Sequence, residues 1–345
     1  MLIENYRNLP GKHCGSTAMR NLLHHYCSLD LSEDTVFGLG GGVDFLYFIS
    51  ERYRPSSLIF GRSVTLEQDL ATALQVDYRE QIEPDDDAAW RRVRAEVDAG
   101  RPTMLSGDAF YLDYANFNVH FPAHRFVLLG YDDEEEAAYI ADRRDPEPKR
   151  CSYQALRLSR NPPDFISTYN LWGRFFASDV AASMEQAYAH ALAANARRML
   201  DEDPVTIEAL RAASPDPSVR IATGLHGMNV FLDDLPRWRD RDDRSTVAGY
   251  AAACIEKYGT GGGNFRAMYA EFLRQGQVLV PELIPVGAPE SAARSAALWT
   301  ALAGHLAELA EGGAESSSRR AVESLSRLIE EETRLFESLA ARCVG

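Results

Sequence analysis

A junction between a loop and a helix near the amino terminus constrains the fold more than any other stretch of this chain. The Pro-Gly pair at 10–11 belongs to a loop, and Ala18 and Leu22 lie at helical spacing after Cys14. The pattern predicts a helix from Cys14 to about Tyr26. A thiol in a first helical turn ionises readily, because unpaired N–H groups and the helix dipole stabilise the thiolate. The same position also suits a small buried apolar residue.

A second stretch predicts a pair of strands. An apolar run begins at His124, an acidic turn follows, and a second run ends at Asp142. Two neighbouring antiparallel strands would place His124, at the start of one, beside Asp142, at the end of the other. A carboxylate in that position orients an imidazole for proton transfer.

Composition excludes several classes of protein. The 345 residues carry a net charge of −15, which disfavours nucleic acid as a partner and favours cationic small molecules. No leader-like segment is visible, and no apolar run approaches the roughly 18 residues of a membrane span. We therefore expect a cytoplasmic protein with no membrane association. The five cysteines form no CxxC pair, so neither structural disulfides nor a metal site is expected.

The Pro-Pro pair in the polar segment 160–164 predicts a domain boundary. We predict that residues 1–160 form an α+β domain and residues 161–345 an all-α domain. Apolar spacing predicts helices over 177–200, 205–213, 224–239, 245–258, 264–275, 291–311 and 318–343. The last two are rich in Ala and Glu, which suits an intramolecular hairpin or a homodimer contact.

Two further segments are candidates for substrate contact. Tyr111 and Tyr114 lie in an aromatic loop, with His120 shortly after it. Near Gly262, a run of glycines leads into a helix at Arg266, which suits a phosphate or carboxylate ligand. The alternative for that run is a close crossing of helices, which also needs small residues.

The motifs together resemble the butirosin biosynthesis protein H family. They are HCGS at 13–16, FGLGGG at 37–42, HRFVLLGYD at 124–132 and ADR at 141–143. The later residues resemble the helical domain of unknown function that is often joined to that family's amino-terminal domain. The likeness to the first domain covers roughly residues 1–160.

The resemblance implies a papain-like fold and assigns roles to individual residues. Cys14 would be the nucleophile, His124 its general base and later general acid, and Asp142 the group that orients His124. Asn8, six residues before the cysteine, would join the backbone N–H of Cys14 in the oxyanion hole. His13 is expected to point away from the thiol.

The family's namesake is an acyltransferase that moves an aminoacyl group from an acyl carrier protein to an aminoglycoside amine. The resemblance therefore implies an amide-forming acyltransferase of antibiotic biosynthesis, with no bound cofactor. Its donor would be the phosphopantetheine thioester of a carrier protein, and its acceptor a cationic amine-bearing small molecule. Carrier proteins are usually acidic, so a basic patch would help docking. Arg143, Arg144, Lys149 and Arg150 are candidates, as are Arg237, Arg239 and Arg241, and the alternative for either group is ordinary solvated charge.

Two other functions stay open from the sequence. A cysteine hydrolase, either a thioesterase or a peptidase, would use the same three residues. A non-catalytic papain-like binding module becomes the better interpretation if His124 and Asp142 do not converge on Cys14.

Overall fold

A computed structural model describes residues 1–115, 117–163, 167–214, 216, 218–312 and 315–343. In chain order its helices are α1 (Cys14–Cys27), α2 (Glu33–Leu39), α3 (Leu66–Leu74), α4 (Asp86–Asp98), α5 (Tyr153–Arg160), α6 (Met184–Leu200), α7 (Pro204–Ala213), α8 (Gly224–Asp234), α9 (Arg244–Glu256), α10 (Arg266–Leu279), α11 (Ala288–Ala310) and α12 (Glu315–Cys343). Its strands are β1 (Val43–Ile49), β2 (Ser57–Arg62), β3 (Tyr78–Gln81), β4 (Thr103–Gly107), β5 (His124–Asp132), β6 (Ala137–Ala141), β7 (Lys149–Ser152), β8 (Trp172–Phe175) and β9 (Arg220–Thr223).

The chain divides into two compact units, and neither of them begins or ends at the domain boundary expected near residue 160. The first unit combines residues 1–36 with 75–181, and the second combines residues 37–74 with those from 182 onward. The reason is strand pairing between distant segments, which local composition does not reveal. Strand β8 joins the first unit's sheet, and β9 pairs with β1 in the second unit.

The first unit contains a six-stranded antiparallel sheet in the order β3-β8-β4-β5-β6-β7. Its core includes Leu105, Phe126, Ile140 and Trp172 from four different strands. The predicted pairing of the two apolar runs is confirmed, because β5 and β6 are antiparallel neighbours. Asp142 directly follows β6, so the sheet brings this end of β6 toward the start of β5.

Helix α1 belongs to the first unit and packs on β5 and β8. Met19, Leu22 and Leu23 are fully buried, and this apolar face fixes the helix on the sheet. The helix ends at Cys27, where Ser28 adopts a left-handed conformation with φ of 53°. The prediction of a helix from Cys14 to about Tyr26 is therefore confirmed to within a residue.

The second unit is mostly helical but also contains a three-stranded sheet in the order β2-β1-β9. The expectation of an all-α domain after residue 160 is therefore wrong at β8 and β9. Both strands have only four residues and pair with segments far earlier in the chain, with Leu46 opposite Thr223 in one case. A period-two pattern over four residues is too short to distinguish a strand from a helix edge.

A buried ion pair joins helices α10 and α12. Nε and Nη2 of Arg266 lie 2.7 and 2.9 Å from the two carboxylate oxygens of Glu332. Ser295 and Trp299 of α11 donate to the same carboxylate at 2.6 and 2.8 Å. Because a buried charge is tolerated only when it is paired and hydrogen-bonded, this network fixes the three helices in one arrangement.

The two long helices α11 and α12 pack against each other within the chain. This contact is the intramolecular hairpin that their Ala- and Glu-rich sequence suggested. Among the described residues, no helix combines the length and the apolar character needed to cross a membrane.

We predict that Arg266→Ala lowers the free energy of unfolding by about 3–5 kcal/mol, because Glu332 is left buried without a counter-charge. Arg294→Ala is the matched control. Arg294 also binds a carboxylate, at 2.8 Å from Glu331, but its side chain is 60% exposed, so its loss costs at most about 1 kcal/mol. Urea unfolding of both variants measures the difference, and equal losses would contradict this account.

Candidate active site

Cys14 is the first residue of α1 and is 5% exposed. Its backbone N–H is not used by the helix itself, since the first N–H groups of a helix lack intrahelical acceptors. The imidazole of His13 caps the helix by accepting the backbone N–H of Ser16 at Nδ1, over 3.2 Å. The thiol therefore lies where the positive end of the helix dipole favours an anion.

The turn before Cys14 is held by the carboxylate of Glu33. It accepts the backbone N–H groups of Lys12 and His13, each at 2.8 Å, and the hydroxyls of Ser16 and Thr17, each at 3.0 Å. These bonds satisfy donors at the start of α1 and fix the backbone that presents the thiol.

His124 and Asp142 meet at the end of the β5–β6 pair. Nε2 of His124 lies 2.9 Å from Oδ2 of Asp142, and both side chains are largely buried. Asp142 also accepts the hydroxyl of Tyr114 at 3.0 Å and the backbone N–H of Arg143 at 2.6 Å. The carboxylate is thus fixed from three directions, and it fixes the plane of the imidazole.

Two imidazoles influence the thiol. The side chains of His124 and His13 each lower the pKa of Cys14. Nε2 of His124 is bound to Asp142, which leaves Nδ1 available to the sulfur. The expectation that His13 points elsewhere is not supported, because its ring caps the start of α1 through Nδ1 and lowers the pKa of the Cys14 thiol.

These contacts decide the protonation states. Burial opposes ionisation of Cys14, but the charge of His13 and the hydrogen bonds from His124 and His13 outweigh it, so the pKa of the thiol lies well below its usual value. Burial likewise opposes charge on His124, yet Asp142 raises the pKa of the imidazole to about 10. Despite its own burial, Asp142 has a pKa lowered to about 2 by His124. These shifts favour a thiolate at Cys14 and an imidazolium at His124, beside an ionised Asp142.

Asn8 does not lie in an oxyanion hole, which corrects the expectation from the sequence. Its Nδ2 donates to the backbone carbonyls of Asp142 and Asp145 at 3.0 and 2.6 Å, and its Oδ1 accepts Nδ2 of Asn21 at 2.8 Å. The amide is therefore used to connect α1 with the segment after β6. The remaining predicted donor is the backbone N–H of Cys14.

The aromatic candidates separate into two groups. Tyr114 binds Asp142, and burial together with that charge raises the pKa of its hydroxyl well above the usual value. Nδ1 of His120 instead lies 2.7 Å from the buried carboxylate of Asp108, and Tyr111 packs beside His120 with ring centroids 5.7 Å apart. Neither His120 nor Tyr111 is placed on the Cys14 thiol by a described contact.

Gly262 and Arg266 belong to the second unit and do not form the predicted anion site. Arg266 is 1% exposed, and besides Glu332 its guanidinium binds the backbone carbonyls of Asp44 and Gly61 at 3.0 and 2.8 Å. The N–H of Gly262 donates to the hydroxyl of Thr260. The glycine run instead permits close packing, since a Cβ on the neighbouring Gly263 would collide with Ala296.

The described residues contain no group of three or more His, Cys, Asp or Glu side chains arranged to hold a metal ion. Four cysteines have described side chains, Cys14, Cys27, Cys151 and Cys254, and each is a free thiol.

We predict that alkylation of Cys14 by iodoacetamide changes little between about pH 8 and pH 6. A free thiol loses close to tenfold in rate per pH unit below its pKa of about 8.5, because only the thiolate reacts. Cys27 is an internal control on the same helix, since burial and the charge of Asp179 raise its pKa. Peptide mapping of the alkylated protein follows both sites. A tenfold loss per unit at Cys14 would rule out the preformed thiolate.

We also predict that His13→Gln moves the acid limb of this alkylation profile to higher pH, because the charge of His13 helps to stabilise the thiolate. The matched control is His120→Gln, whose imidazole binds Asp108. Its profile should coincide with that of the wild type. If both substitutions move the limb equally, His13 has no specific effect on the sulfur.

Comparison with known sequence families agrees with this site. The family described as Butirosin biosynthesis protein H, N-terminal, matches residues 13–143, which contain Cys14, His124 and Asp142. The family described as Domain of unknown function (DUF4872) matches residues 154–339, more than half of the chain. No curated protein matches the chain. The predicted resemblance is therefore confirmed, and the chain belongs to the family that joins a butirosin biosynthesis protein H N-terminal domain to DUF4872.

Proposed function

We propose that the chain is an amide-forming acyltransferase that carries the acyl group on Cys14. One observation carries the proposal: Nε2 of His124 lies 2.9 Å from Oδ2 of Asp142, and the same imidazole lowers the pKa of the Cys14 thiol. Nucleophile, proton carrier and orienting carboxylate thus form one connected set. The family name, which refers to the biosynthesis of the antibiotic butirosin, supports a role in assembling a natural product.

The first half of the reaction loads the enzyme. The Cys14 thiolate attacks the carbonyl carbon of a thioester, and the backbone N–H of Cys14 is the donor for the oxyanion that develops. The imidazolium of His124 gives its proton to the departing thiolate, so the donor leaves as a neutral thiol. The products are an acyl-Cys14 thioester and a neutral His124.

The second half transfers the group. An amine attacks the acyl-Cys14 carbonyl while His124 accepts one N–H proton, and the Cys14 thiolate leaves as the amide forms. His124 is again an imidazolium and Cys14 again a thiolate, so one cycle restores the starting charges. Asp142 keeps its charge throughout and holds the ring in position.

The charge of the chain supports a cationic acceptor. A net charge of −15 raises the local concentration of cations around the protein and speeds their association. An acyl carrier protein is the proposed source of the thioester, with the group carried on its phosphopantetheine arm.

A catalytic role is supported over a binding module, because His124 is paired with Asp142 and lowers the pKa of the Cys14 thiol. A thioesterase or peptidase would use the same side chains with water in place of the amine. The two activities therefore differ only in what discharges the acyl-enzyme.

We predict that brief exposure to acyl thioesters raises the intact mass of the wild type by one acyl group. Cys14→Ala should gain no mass, because the nucleophile is lost. Cys27→Ala is the matched control, removing a thiol from the other end of α1, and it should load as the wild type does. If no thioester loads Cys14, the nucleophile assignment fails.

The loaded enzyme then distinguishes transferase from hydrolase. We expect cationic amines to discharge it at least tenfold faster than buffer alone, with an amide as the product found by mass spectrometry. Discharge by water at the same rate with and without amine would assign a hydrolase instead.

A further inference from the structure

A cavity of about 360 Å³ opens in the first unit beside the candidate base. His124 and Asp142 form one part of its wall, and the aromatic rings of Tyr114 and Phe117 form another. The segment after β6 and the start of β7 contribute three basic side chains, Arg143, Arg144 and Lys149, and one further carboxylate, Asp145, and Ala115 completes the wall.

The positive charges of this cavity are not all balanced. Lys149 forms an ion pair with Asp145, and Asp142 is occupied by His124 and Tyr114. Within the described part of the chain, no carboxylate lies within ion-pair distance of Arg143 or Arg144. Two guanidinium groups therefore face the cavity region without a counter-charge.

Both arginines are held in place by contacts that leave their charge unpaired. Nη1 of Arg143 donates to the carbonyl of Lys12 at 2.9 Å, and the carbonyl of Arg143 accepts the N–H of Gly11 at 2.7 Å. The guanidinium of Arg144 lies over the ring of Phe117, 5.6 Å from its centroid. Guanidinium groups fixed in this way bind phosphate or carboxylate oxygens in pairs.

The chemistry at His124 determines which half of a substrate lies here. His124 protonates the leaving thiol, so the thiol-bearing half of the donor must lie beside this ring. The attacking amine also approaches His124, but two unpaired arginines repel a cationic group. An anion on the donor side is the better complement to the cavity.

We propose that this cavity is an anion site for the thiol-bearing half of the acyl donor, held by Arg143 and Arg144. The inference rests on the proposed function and adds the chemical class of the donor. The shared chemistry is an anionic group on the leaving thiol. It is either the phosphate of a phosphopantetheine arm or the carboxylate of a small thiol.

The test uses the full chain and three thiols: phosphopantetheine, pantetheine and 3-mercaptopropionate. Titration calorimetry measures the binding of each thiol, and acylation of Cys14 by the matching acetyl thioesters gives kcat/KM. We expect phosphopantetheine to bind at least tenfold more tightly than neutral pantetheine, and its thioester to acylate Cys14 with the same preference. A preference for 3-mercaptopropionate alone assigns the site to a carboxylate.

Arg144→Gln should remove most of this preference, because Arg144 is exposed and its guanidinium lies over the ring of Phe117, with no carboxylate partner among the described residues. Arg150→Gln is the matched control. Arg150 is an exposed arginine of β7 that pairs with Glu135 and does not line the cavity, so the preference should remain. Equal thermal unfolding of both variants excludes loss of folding as the cause.

The outcomes separate this proposal from the previous one. If no thioester acylates Cys14 but phosphopantetheine binding depends on Arg144, the acyltransferase fails and the anion site stands. If Cys14 is acylated but the anionic thiols bind no better than pantetheine, the anion site is overturned. Equal effects of Arg144→Gln and Arg150→Gln would also overturn it, since they would reflect only the general field of the surface.

Discussion

The geometry of the candidate site depends on hydrogen bonds between the loop before α1 and the segment after β6. Asn8 binds the backbone of Asp142, Gly11 donates to the carbonyl of Arg143, and Arg143 reaches back to Lys12. The loop leads directly into Cys14, and the segment begins with the carboxylate that orients His124. Residues that are far apart in the chain are thus held at hydrogen-bonding distance, a precision that apolar contacts alone do not provide.

The start of α1 must stabilise two anions. Glu33 uses the backbone N–H groups of Lys12 and His13, so these donors are not available to the thiolate of Cys14. Stabilisation must then come from side chains, and both His124 and His13 lower the pKa of the thiol. This gives the imidazole directly before the cysteine a role at the sulfur. A helix dipole shared with a buried carboxylate is a weaker source of stabilisation than an adjacent ion pair.

The expectations that hold rest on local sequence patterns. Helix α1 follows from the spacing of Ala18 and Leu22, and the β5–β6 pair follows from two apolar runs joined by an acidic turn. The meeting of His124 and Asp142 needs only that pairing, so it was accessible from the sequence. Their roles in catalysis stay a prediction.

The expectations that fail concern the direction of side chains whose partners lie elsewhere. Asn8 had the spacing of an oxyanion donor, but its amide is used by Asn21 and by two carbonyls after β6. Arg266 followed a glycine run, but Glu332 lies more than sixty residues later and takes its charge into the core. In each case the sequence showed a polar side chain at a junction between a loop and a helix. The neighbouring residues did not indicate which distant group that side chain would bind. The pairing of strand β9 was hidden for the same reason, because its partner β1 lies about half of the chain earlier.

Charge also explains why an acidic protein would place arginines beside His124. A net charge of −15 repels an anionic donor at long range, whereas it attracts a cationic acceptor. Interactions between exposed charges are screened beyond about 8 Å at physiological salt, so the long-range field weakens while charges lining a cavity keep acting at contact distance. Arg143 and Arg144 would then attract an anion at contact distance, where the net charge of the protein has little effect. The proposed donor and acceptor carry opposite charges, and a local basic wall within an acidic surface would let one protein accept both.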